Sequence, residues 1–131
     1  MNRIEARINR IESTDNITII TFEAEGRGMR MMALGLNLPL SAGTRVILGF
    51  KASHVALARE LSGELSISNR LPAVIESVET GALVSSVMLR VGAALIESII
   101  TRESAERLRL QNGDTVTALV KASDLSIVDL P

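Results

Sequence analysis

Apolar and polar positions alternate along much of the chain. "ITIITFEA" from Ile17 and "LVSSVMLRV" from Leu83 have a period close to two, as do "TRVILGFKA" from Thr44 and "TVTALVKA" from Thr115. A strand sends successive side chains to opposite faces, so this period predicts strands, with Gly, Asn, Asp and Thr at the breaks. One stretch carries helical signals. In "TRESAERLRLQNG", Thr101 can cap, Ser104 follows one turn later, Leu108 lies four residues beyond that, and Asn112-Gly113 supplies a stop. The corresponding earlier stretch, "MMALGLNLPLSAG", holds Gly35 and Pro39 and predicts a loop.

The pattern occurs twice. "NRIEARINRIE" from Asn2 aligns with "NRLPAVIESVE" from Asn69, a shift of 69 − 2 = 67, whereas Lys51 of "GTRVILGFKASHVAL" aligns with Lys121 of "GDTVTALVKASDLSI", a shift of 121 − 51 = 70. The second copy therefore gains about three residues in its middle, where the helix is predicted. The expected organisation is a first, degenerate repeat over 1–62 and a second over 63–131, with "ARELSGELS" and Gly63 at the junction. The expected fold is mostly β: two OB-like five-stranded barrels in tandem, with a short helix in the second.

Size and composition sharpen this picture. Neither half of 131 residues can bury a large core by itself, so intertwined halves or an oligomer are expected. With 47% apolar and 2% aromatic residues, the core must be aliphatic, and Met29, Met31 and Met32 read as core or interface filler. "MMALGLNLPLSAGT" is too short, and too interrupted by Asn37 and Pro39, to span a membrane. "MNRIEARINRIE" has no apolar signal region, so a cytoplasmic protein without direct membrane insertion is expected. The absence of Cys excludes disulfides and thiolate metal sites, and the single His54 reads as a surface residue. A net charge of −1 with no Tyr or Trp argues against nucleic-acid binding. No nucleophile, base and orienting group can be assembled, so no enzyme is expected.

Two segments remain, Lys51-Ala52-Ser53 and Lys121-Ala122-Ser123. A lysine there can be a solvated strand edge that blocks aggregation. The surrounding order of "SISNRL", "VETGAL" and "IITRESAERLRLQNGDTVTALVKASDLSI" resembles the Mop or TOBE (molbindin-like) domain of molybdate-binding proteins. That family's pattern runs Ser-Ala-Arg-Asn, Gly-Ala-Val, Ile-Thr-x-x-Ser, Gly-x-x-Val and Lys-Ala-Ser, and here it covers both copies, as in a tandem di-Mop protein.

The resemblance implies binding of molybdate, with tungstate as a competitor, in a homodimer or homotrimer. It implies either stand-alone storage or regulation of uptake, as a sensor domain of a transcription regulator or the regulatory domain of a molybdate ABC transporter ATPase. No Walker phosphate loop occurs, so such an ATPase lies outside this sequence. Lys121 would contact the anion, Ala122 and Ser123 would add backbone and hydroxyl donors, and Thr101 and Ser104 would add hydroxyls from the helix start. Ser66 would arrive from a neighbouring subunit, followed by Ser68 and Asn69. Because Ser68 stands where the family has Arg, a second positive charge is missing, and Arg70 is the candidate replacement. Lys51, Ala52 and Ser53 match in the first copy, which lacks the helix-start hydroxyls. Molybdate accepts hydrogen bonds and donates none, which suits such a donor-only set. An OB-type binder of oligonucleotide or oligosaccharide is the alternative.

Overall fold

The computed structural model describes residues 1–131. The first copy contributes β1 (Asn2–Thr14), β2 (Ile17–Ala24), β3 (Arg27–Leu34), β4 (Arg45–Phe50) and β5 (Ala56–Ala58). The second contributes β6 (Asn69–Thr80), β7 (Val84–Val91), β8 (Ala94–Thr101), α1 (Arg102–Arg107), β9 (Thr115–Val120) and β10 (Ser126–Asp129). Two short 3-10 turns, Ala52–His54 and Ala122–Asp124, follow the two lysines.

Each five-stranded antiparallel sheet takes its fifth strand from the other copy. One sheet has the order β10-β4-β1-β2-β3 and the other β5-β9-β6-β7-β8. Thus Ala56 of the first copy pairs with Leu119, and Ser126 of the second pairs with Gly49. The 3-10 turns send the chain across. Gly49 makes room for the incoming strand, since a Cβ there would lie 2.5 Å from Val128 Cγ1.

The duplication is visible in fine detail. β1 bulges between Ile8 and Arg10, and β6 bulges between Ile75 and Ser77. Opposite each bulge a glycine closes the same ring: Gly43 donates to the Ile8 carbonyl at 2.7 Å and Gly113 to the Ile75 carbonyl at 2.7 Å. Both glycines have φ near +90°, a conformation that L side chains disfavour.

One continuous core of 25 buried residues serves both sheets, including Ile4, Ile8, Phe22, Met29, Met31, Leu71, Ile75, Leu89, Ile96 and Val116. The halves are intertwined, as a chain of this size requires. Two buried asparagines stitch them together. The Asn2 amide donates to the Glu97 carbonyl and accepts from the Glu97 N–H, both at 2.8 Å. Asn69 does the same with Arg30, at 2.8 and 2.7 Å. Since 69 − 2 and 97 − 30 are both 67, these are one interaction used twice in reciprocal directions.

The helix is shorter than its sequence signals imply. Thr101 caps it, accepting from the Ser104 N–H at 3.1 Å, but it ends at Arg107, and Arg109 (φ 52°) turns the chain before Asn112-Gly113 is reached. The cause lies in the junction: Arg59 donates to the carbonyls of Leu108 and Arg109 and to Asp114, satisfying the helix end from outside. The counterpart stretch over 36–41 forms no helix or strand. No helix is long and apolar enough to cross a membrane.

Candidate functional site

Lys121 follows β9 in an extended conformation (φ −66°, ψ 146°) and opens the turn Ala122–Asp124. The first bond of that turn runs from the Asp124 N–H to the Lys121 carbonyl at 2.9 Å, so the turn itself leaves the N–H groups of Ala122 and Ser123 unused. Facing it is the segment that leads from the junction into β6. Together they enclose a cavity of about 250 Å³ lined by Met32, Ser66, Ile67, Ser68, Lys121, Ala122 and Ser123. Its polar side chains are one ammonium and three hydroxyls, and no carboxylate lines it. Lys121, Ser66, Ser68 and Ser123 are exposed, so the donors are open to a solute.

The lining segment is held from behind. Arg70 donates to the Ile67 carbonyl at 2.9 Å and to the Leu65 carbonyl at 2.7 Å, which ties its guanidinium to the segment's backbone and away from the cavity lining. Arg70 thereby holds the backbone on either side of Ser66 and does not itself line the cavity. Asn69 is fully buried, and its amide is taken up by Arg30, so it too is structural.

Other expected residues lie elsewhere. Thr101 and Ser104 are hydrogen-bonded to each other at the start of α1 and do not line the Lys121 cavity. Strand exchange is the reason. The turn after Lys121 packs on β3 of the first copy, while the turn after Lys51 packs on β8, the strand that ends at Thr101. Lys51, Ala52 and Ser53 line none of the five principal cavities. The resemblance implied that Ser66 reaches the lysine from a neighbouring subunit; here Ser66 and Lys121, both of the second copy, line one cavity within a single chain.

Met32 and Ile67 line the cavity but were not legible as site residues. The signal for Met32 is the alternation in "RGMRMMAL", which buries Met29 and Met31 and turns Arg30 and Met32 outward. His54 and Asp124, equivalent in the repeats, meet between the two turns with Nδ1 and Oδ1 3.6 Å apart. No group of three or more His, Cys, Asp or Glu residues could hold a metal ion.

The TOBE domain family model matches residues 65–127. Residues 65–127 are a TOBE domain. The TOBE match takes in both polar walls of the cavity, from Ser66 to Ser123, whereas Met32 comes from the copy outside it. Over 112 residues the chain is 31% identical to the molybdenum transport protein ModE of Herbaspirillum seropedicae, covering 83% of the chain and 42% of ModE. It is 30% identical over 110 residues to the molybdate/tungstate import ATP-binding protein WtpC of Pyrococcus horikoshii, covering 83% of the chain and 31% of WtpC. The chain thus spans less than half the length of these relatives. Its fold matches that of the cytoplasmic molybdate-binding protein ModG, solved with molybdate bound, with a TM-score of 0.92 at 24% identity over 99% of this chain and 96% of that one.

Proposed function

We propose that this chain is a non-catalytic binding module for molybdate, with tungstate as a near-isosteric competitor, and that the anion sits among Lys121, Ala122, Ser123, Ser66 and Ser68. The donor-only lining carries this reading: a tetrahedral dianion that accepts hydrogen bonds and donates none fits a cavity of one ammonium, three hydroxyls and free N–H groups. The names of ModE and WtpC support the same chemistry. Partial coverage of both relatives supports a module that works within larger transport or regulatory proteins, such as a transporter ATPase. We further propose a cytoplasmic homo-oligomer, a dimer or trimer. The exposed Leu34, Leu83, Val84 and Leu95 offer apolar surface for it.

Thermal denaturation with molybdate, tungstate and sulfate at matched ionic strength tests the reading. Mass action should add about 2.7 kcal/mol of stability at a hundredfold excess over Kd. Lys121→Met should remove that increment while leaving the anion-free melting temperature unchanged or raised. A parent protein whose melting ignores molybdate would leave Lys121 a solvated strand edge.

A further inference from the structure

A dianion beside Lys121 meets only one full positive charge in the cavity lining, and the structure shows where a second lies. Ser68 is shared by two adjoining cavities: the one that holds Lys121, and a neighbour of about 200 Å³ lined by Thr21, Gly28, Met29, Arg30 and Ser68. We infer that Arg30 is the second cation of the anion site, reaching over Ser68 from β3 to set affinity and the preference for a doubly charged ligand. This rests on the oxyanion reading of the Lys121 cavity.

Four observations carry it. First, the Arg30 backbone is fixed relative to the cavity, because both its N–H and its carbonyl bond to Asn69, the residue after Ser68. Second, Arg30 and Met32 share the outward face of β3, and Met32 lines the Lys121 cavity. Residues two apart on a strand lie about 7 Å apart, within the span of an extended arginine side chain.

Third, the guanidinium is uncommitted. Arg30, with Arg27 and Arg109, is one of three arginines that make no side-chain hydrogen bond or ion pair. Glu23, opposite Gly28 on the adjoining strand, lines a separate cavity with Arg7 and Arg45. Gly28 and Thr21 leave space beside it. Fourth, the repeats differ here in sign. The counterpart of Arg30 is Glu97, on the strand that packs against the Lys51 turn, where a carboxylate opposes an anion. The duplicated frame thus carries an uncommitted cation at one position and, at its counterpart, a carboxylate that accepts from the Ser86 hydroxyl.

Titration calorimetry of the full chain with molybdate, at low and moderate ionic strength, tests the assignment in Arg30→Gln, Arg30→Glu and Arg109→Gln. The last removes the same charge from another uncommitted arginine. Losing one charge-assisted contact should weaken binding about tenfold or more in Arg30→Gln, and further in Arg30→Glu. Arg109→Gln should stay within about twofold, since salt screens exposed charges beyond a Debye length. Anion-free melting should be unchanged in Arg30→Gln, because Asn69 holds the backbone and not the side chain. Parent-like affinity in Arg30→Gln, or an equal loss in Arg109→Gln, overturns the role of Arg30 and leaves the Lys121 site standing. No binding by the parent overturns the oxyanion reading itself.

Discussion

Asn69 and Arg30, 39 residues apart, exchange two hydrogen bonds that join the start of one copy to an edge strand of the other. The amide imitates a peptide group and continues the ladder where no strand pairs. Asn69 is fully buried, so Asn69→Ala strands the partners of both bonds. A loss of about 1–3 kcal/mol is expected in urea unfolding. Asn2→Ala should cost a similar amount through Glu97, and parent-like stability in both would reduce the stitches to ornament.

Binding should be lopsided between the copies. Lys121 shares a cavity with Ser66, Ser68 and Ser123, whereas Lys51 lines none of the principal cavities. Lys121→Ala should therefore weaken molybdate binding by about 1–3 kcal/mol, and Lys51→Ala by much less, in parallel calorimetric titrations. Equal losses would show that the first lysine holds an anion as well as the second.

Strand exchange depends on a missing side chain. A Cβ on Gly49 would meet Val128 Cγ1 at 2.5 Å and Cγ2 at 3.1 Å, so Gly49→Ala should destabilise by about 1–3 kcal/mol through overpacking of β10 on β4. Val128→Ala removes both clashing methyl groups. Chemical denaturation of the two single variants and the double should show the second substitution rescuing the first; simple additivity would mean that the clash is relieved elsewhere.

Acid stability should report on the Arg59–Asp114 pair, 2.7 Å apart. The hydrogen bond from Arg59, then that from the Gln111 N–H, holds the Asp114 carboxyl below its ordinary value of 3.8. The unfolded chain then binds the proton more readily than the folded one. The pair's contribution is full above about pH 3.8 and fades as pH falls from there through the lowered folded value. Arg59→Gln should flatten that part of the stability curve. Unfolding midpoints between pH 5 and 2.5 that run parallel in parent and variant would assign the acid response to other carboxylates.

The duplication, the mostly β character and the one short helix are legible along the chain because they rest on local signals: a period of two, a Thr cap, and glycines at equal intervals. The sequence marked Lys121-Ala122-Ser123 and Ser66, whose donor chemistry is carried by residue type. Tertiary structure decided which copy's strand completes which sheet, and with it the neighbours of each lysine. Exchange keeps Thr101 and Ser104 away from the Lys121 cavity and brings Met32 to it, with Arg30 on the same face of β3. Asn69 and Arg70 act as supports: the Asn69 amide is taken up by the Arg30 backbone, and two Arg70 donors hold the carbonyls of Leu65 and Ile67. Pairing between copies depends on space left at Gly49 and on amides reaching across to Arg30 and Glu97, and such complementarity between distant residues leaves no periodic trace along a single chain.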